Sequence, residues 1–116
     1  GDQRPPERRA VNIHDVLERA RRSAQVGFAA HMTIEDTYDP SLPDALADPD
    51  QLLQVFLNLL KNAAQASANA PGQIRIRTFY EPSLRVRRKG EAAFRVPLQV
   101  EIIDDGDTQT YVIRKG

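Results

Sequence analysis

The stretch "DPDQLLQVFLNLLKNAAQA", residues 48–66, decides the fold. Asp48 is a good helix N-cap, Pro49 suits the first helical position, and Gln51 completes a capping box. The helix that follows is expected to run to about Ala68. On a wheel of roughly 100° per residue, Gln51, Gln54, Lys61, Asn62 and Gln65 all fall within about 60° of Asn58. Every other position from Leu52 to Ala66 is apolar. A surface helix usually carries a wide face of Glu, Lys and Arg; here the polar arc is narrow and mostly amide. The pattern predicts a helix buried on most sides, with one polar stripe open. Asn is a mediocre helix former, so two of them in mid-helix need a reason. An amide carbonyl is a hard oxygen ligand, suited to Mg²⁺ or its waters, and Asn58 and Asn62 at i and i+4 lie on one face. The helix by itself leaves two readings open: the amides hold a metal that bridges phosphates, or they face water.

Working outward, Asn12 is a second N-cap, with Asp15 in a capping-box position and Val11 and Val16 at the staple positions. Ile13, Val16, Leu17, Ala20 and Ala24 keep helical spacing, and Gly27 is placed to end that helix. "HMTIEDTY", residues 31–38, alternates as a strand does, and "DPSLPDALADPD" reads as a proline-broken connection. "QIRIRTFY" and "PLQVEII" predict strands at 73–80 and 98–104, with Arg75 and Arg77 on the solvated side of the first. Between them, "LRVRRKGEAAFRV" reads as a basic hairpin turning near Lys89 and Gly90. "TQTYVIRK" is a candidate last strand, and residues 1–10, "GDQRPPERRA", read as a linker. The order helix, strand, helix, strands predicts an α/β (α+β) two-layer sandwich: a mixed sheet with helices packed on one face.

Composition narrows the function classes. The 116 residues suit one domain, and 16 basic residues balance 16 acidic ones. A balanced charge argues against nonspecific nucleic-acid binding, which depends on neutralising phosphates. No run of 18 apolar residues is present, so no membrane helix is expected, and the polar N-terminus is not a signal peptide. The absence of cysteine excludes disulfides and thiolate metal sites and fits a cytoplasmic location. Asp48, Asp50, Asp104 and Asp105 form no convincing carboxylate metal site, because Asp48 is better explained as a cap and Asp105 falls at a turn. His14 and His31 read as ordinary surface or edge histidines.

"DPDQLLQVFLNLLKNAAQA" resembles the N-box helix of sensor histidine kinases, in the ATP-binding domain shared with gyrase, Hsp90 and MutL. "VNIHDVLERA" and "DPSLPDALADPDQL" are similar to the corresponding parts of nitrogen-regulation kinases of the NtrB type, and "VEIIDDG" to the strand entering their G1 box, D-x-G-x-G. The resemblance covers residues 11–106 and implies a Bergerat-type fold that binds ATP and Mg²⁺. It implies Asn62 as the metal-holding asparagine and Asn58 as its helper at metal and phosphates, with Lys61 at the phosphate edge. It implies Asp104 as acceptor for the adenine amino group and Gly106 as the glycine where the backbone passes the base. Gyrase-like hydrolases usually have Glu at the position of Asn58. An amide cannot serve as that base, which suits ATP kept for transfer to histidine. No catalytic side chain is assigned.

The pattern departs from the family after Gly106. Thr108 stands at the second G1 glycine, residues 107–116 form an atypical tail, and neither an F-box nor a glycine-rich G2 box is present in the 116 residues. Neither histidine has the context of the phosphoacceptor. The expectation is therefore an incomplete ATP-binding domain, truncated after the start of the G1 box and impaired in nucleotide binding. In the whole protein, the implied partners are nucleotide, the kinase dimerisation domain and a response regulator. An incomplete sheet favours a homo-oligomer or strand-swapped dimer. The alternative is a noncatalytic interaction module, with Arg85, Arg87, Arg88 and Lys89 either meeting an acidic partner or forming a solvated loop tip.

Overall fold

The computed structural model describes Pro5 and residues 7–66, 72–80, 85–86, 94–95, 98–104 and 107–113. Two helices lie on one mixed sheet. The first, α1 (Ile13–Gln25), begins where Asn12 Oδ1 accepts the His14 backbone N–H at 3.0 Å. Its buried residues are Ile13, Val16, Leu17, Ala20 and Ala24, the stripe that the spacing predicts. The helix ends beside Gly27, but Gly27 is not left-handed. Its last carbonyls are met by consecutive turns instead: Ala24 O accepts from Gly27 N–H at 3.1 Å and from Ala29 N–H at 2.8 Å.

The second helix, α2 (Pro49–Ala66), starts on Asp48, as expected. Asp48 Oδ1 accepts the backbone N–H groups of Asp50 at 2.9 Å and Gln51 at 3.3 Å. Leu52, Phe56, Leu60, Ala63 and Ala64 are buried on its inner side. The end expected at Ala68 lies outside the described residues.

The four-stranded sheet has the order β2 (Met32–Thr37), β4 (Gly72–Tyr80), β7 (Leu98–Asp104), β8 (Asp107–Ile113). β2 runs parallel to β4, and the other two pairings are antiparallel, so the sheet is mixed as expected. Ile74, Ile76 and Thr78 of β4 are buried, while Gln73, Arg75 and Arg77 are exposed. The period of two thus separates a helix-covered face from an open one. On the open face the Arg77 guanidinium lies 5.0 Å from the Phe79 ring centroid. α1 and α2 pack on each other, α2 packs on β4 and β7, and α1 on β2. The tail expected as a last strand pairs along β7 from Leu98↔Ile113 to Asp104↔Asp107. β5 (Arg85–Val86) and β6 (Phe94–Arg95) form the base of the basic hairpin, and its tip lies outside the described residues.

One two-stranded ribbon was not legible. β1 (Arg9–Val11) pairs antiparallel with β3 (Ala45–Ala47), in the register Arg9↔Ala47 to Val11↔Ala45. This corrects the linker at 1–10, whose last residues belong to a strand, and the proline-broken connection, which contains one. Three residues are too few to show a period of two. Such strands exist because a distant segment pairs with them, not because their own propensity is strong.

Candidate functional site

On α2, Gln51, Gln54, Asn58, Lys61, Asn62 and Gln65 are exposed. Leu53, Val55, Leu57 and Leu59 at the flanks are half-buried and pack against the core. The helix therefore presents one narrow amide-rich stripe to solvent. Among the described residues, no side-chain hydrogen bond is found for Asn58, Lys61 or Asn62, and no cluster of three or more His, Asp or Glu could hold a metal. The amide oxygens of Asn58 and Asn62 are hard donors of the kind Mg²⁺ prefers.

The topology sets these residues relative to Asp104. The pairs Met32↔Gly72 and Ile74↔Asp104 put the start of β4 and the end of β7 at one end of the sheet. The chain from Ala66 to Gly72 can span at most about 21 Å, less than the roughly 27 Å length of α2. The C-terminal part of α2, with Asn62, therefore lies toward that end. Asp104 is the register partner of Ile74, which is buried. Asp104 and Asn62 thus lie toward the same end of the sandwich, one in the sheet and one in the helix packed on it. Gly106 and Asp105 lie outside the described residues. They are the two residues between the paired Asp104 and Asp107, and Asp-Gly is a dipeptide that suits tight hairpins.

The described cavity is elsewhere. It is lined by Glu7, Arg8, Arg9, Asp48, Pro49 and Asp50 at the first turn of α2, and its volume is about 180 Å³. Ligand pockets typically run from about 300 Å³ upward, so it does not suit a nucleotide.

A second polar constellation was missed from sequence. His14, expected at the surface, is half-buried and stacked on Tyr38, with ring centroids 4.4 Å apart and planes 11° from parallel. His14 Nε2 and Thr78 Oγ1 share a hydrogen bond of 2.8 Å, and Thr78, itself buried, also accepts the Asp39 backbone N–H at 3.1 Å. Asp39 Oδ2 accepts the Tyr80 N–H at 3.0 Å, and Oδ1 accepts from Ser41 N–H and hydroxyl. Tyr38 donates to Glu18 Oε2 at 2.8 Å, and Arg21 pairs with Glu18 and Asp36. Burial lowers the His14 pKa, against the opposing charges of Asp39, Asp15, Asp36 and Glu18. Burial and the Glu18 carboxylate raise that of Tyr38. The hydrogen bonds from Ser41 and then Tyr80 lower that of Asp39. Apart from Asp39 with Ser41 and Glu18 with Arg21, the partners are 15 to 64 residues apart in sequence, so spacing carries no sign of them. His31 is exposed, as expected.

Comparison with known proteins gives the class first. No family model matches the chain. Its fold is that of histidine kinase catalytic domains. It superposes on the mycobacterial sensor histidine kinase MprB with a TM-score of 0.64 at 20% identity, covering 86% of this chain and 56% of that one. On the catalytic domain of histidine kinase ThkA the TM-score is 0.65 at 17% identity, over 87% of this chain and 60% of that one. A further match, with a TM-score of 0.66 at 16% identity, is histidine kinase ThkA in complex with response regulator protein TrrA, covering 88% of this chain and 27% of that one.

The curated relatives are more specific. The chain is 64% identical over 106 residues to the sensory histidine kinase/phosphatase NtrB of Rhodobacter capsulatus, covering 91% of this chain and 30% of the relative. Identity to NtrB of Azospirillum brasilense is 48% over 107 residues, 91% of this chain and 27% of the relative. Over about nine-tenths of its length the chain is thus similar to NtrB-type sensor histidine kinases, and it spans between 27% and 30% of the length of these relatives.

Proposed function

We propose that this chain is part of the ATP-binding region of a cytoplasmic two-component sensor histidine kinase. In the whole protein, that region binds ATP·Mg²⁺ and passes the γ-phosphoryl group to a histidine on the dimerisation domain, for relay to a response regulator. The observation that carries the reading is the exposed amide stripe of α2, with no side-chain partner for Asn58 or Asn62 among the described residues, whose C-terminal part lies toward the same end of the sandwich as Asp104. Asn62 and Asn58 hold Mg²⁺, which supplies charge neutralisation at the phosphates. Lys61 adds a cation at their edge. Asp104 accepts from the adenine amino group, and Gly106 leaves room for the base. With an amide at position 58 the site has no base to activate water, so bound ATP is preserved for transfer. No helix among the described residues is long and apolar enough to cross a membrane.

The 116-residue chain itself binds nucleotide weakly, because Thr108 stands at the second G1 glycine and these 116 residues hold no G2 box. Calorimetry with ATP, with and without Mg²⁺, tests this. Weak, Mg²⁺-dependent heat that disappears in Asn62→Ala is expected. No heat at any concentration sinks the nucleotide reading for this chain. That outcome favours an interaction module. Sedimentation as a clean monomer at high concentration would dismiss the strand-swapped dimer.

A further inference from the structure

The carboxylate of Asp48 joins two segments far apart in sequence. Its Oδ1 caps α2 through the N–H groups of Asp50 and Gln51, while its Oδ2 accepts the backbone N–H of Glu7 at 2.9 Å, 41 residues away. Glu7 is two residues before β1, and Asp48 directly follows β3, with which β1 pairs. The ribbon is anchored in the core by Val11 and Ala45, which are register partners and both buried. The first turn of α2 therefore stands on the β1–β3 ribbon, and one buried side chain ties the two together. From Pro49, Asn58 lies about 13.5 Å and Asn62 about 19.5 Å along the helix, too far for contact. A helix packed along its length moves as a rigid element, so a shift of its first turn carries the stripe with it.

We infer that Asp48 is a positioning residue: it locks α2 to the segment Glu7–Val11, so that docking of this segment sets the placement of Asn58 and Asn62. The inference rests on the nucleotide reading for its consequence, not for the coupling itself. Loss of the Glu7 bond leaves the cap intact and loosens α2 as a body. By linkage, a ligand held at the stripe tightens the Glu7–Val11 segment to the same degree as that segment tightens the ligand.

Two variants separate capping from coupling. Asp48→Asn is isosteric and keeps an oxygen for the cap, at which Asn serves as well as Asp, but it turns an NH₂ toward the Glu7 N–H. Glu7→Pro removes that N–H and leaves Asp48 untouched. Hydrogen exchange on the 116-residue chain without nucleotide should show the amides from Val55 to Asn62 exchanging about threefold faster in either variant. The double variant should be no worse than the worse single, since both break one contact. Mg²⁺·ATP titration should show about fivefold weaker binding in each. Unchanged exchange from Val55 to Asn62, or full additivity in the double variant, overturns the coupling. Faster exchange with an unchanged nucleotide affinity overturns its consequence. If the wild-type chain binds no Mg²⁺·ATP, only the nucleotide reading falls, and the exchange result still decides the coupling.

Discussion

The two helices use their polar residues in opposite ways. On α1, His14, Glu18 and Arg21 are part-buried and tied to Tyr38, Asp36 and Thr78 by hydrogen bonds, an ion pair and a ring stack. On α2, Asn58, Lys61 and Asn62 are exposed and have no described side-chain partner. Polar groups that hold a fold are partnered, because an unpaired buried group costs about 1–3 kcal/mol. Polar groups that wait for a ligand stay open and add little to stability. The contrast separates a structural polar face from a candidate binding stripe without reference to any relative.

The largest effect should come from the core that both helices share. Phe56 is fully buried, and Phe56→Ala should cost about 3–5 kcal/mol in denaturant unfolding, enough to unfold a marginal domain. A cost below 1 kcal/mol would mean that α2 is not seated on the sheet as described. Next is the α1 side. Thr78→Val keeps the volume but orphans the Asp39 N–H and the His14 ring nitrogen, and should cost about 1–3 kcal/mol.

Acidification should touch the same network. The folded-state pKa of His14 lies below its ordinary 6.5, so the unfolded chain takes up the proton first. The stability that neutral His14 contributes is complete above pH 6.5 and is lost as pH falls through the folded value. His14→Gln should flatten the stability profile just below pH 6.5, and a profile unchanged by the substitution would remove His14 from the network. Asp39 adds a second loss at lower pH, since its folded pKa is also depressed. The smallest effect on stability belongs to the stripe. Asn58→Ala should leave the unfolding free energy equal or slightly higher, by at most about 0.7 kcal/mol, because Ala is the better helix former. A large loss there would show that Asn58 holds the fold, and the contrast between the helices would collapse.

Much of this was legible. The strands at 73–80 and 98–104 declared themselves through strict alternation, and the structure has them as Gly72–Tyr80 and Leu98–Asp104. Asn12 and Asp48 announced both helix starts, because capping is a local interaction within three residues. The exposed amides of α2 followed from its helical period alone. By contrast, the β1–β3 ribbon and the His14 stack could not be read. Each joins segments separated by 24 to 64 residues, and nothing in either partner's neighbourhood names the other.

The sequence by itself determined the local elements and their buried faces, since periodicity and capping act over one or two turns of chain. It also carried the likeness to NtrB-type kinases in the run from Asp48 to Ala66. Only the tertiary structure decided that the end of β7 pairs beside the start of β4, that Asp48 serves two segments, and that His14 is a packed residue. Those outcomes depend on which distant segments meet, and that is set by sheet register and helix packing summed over the whole core.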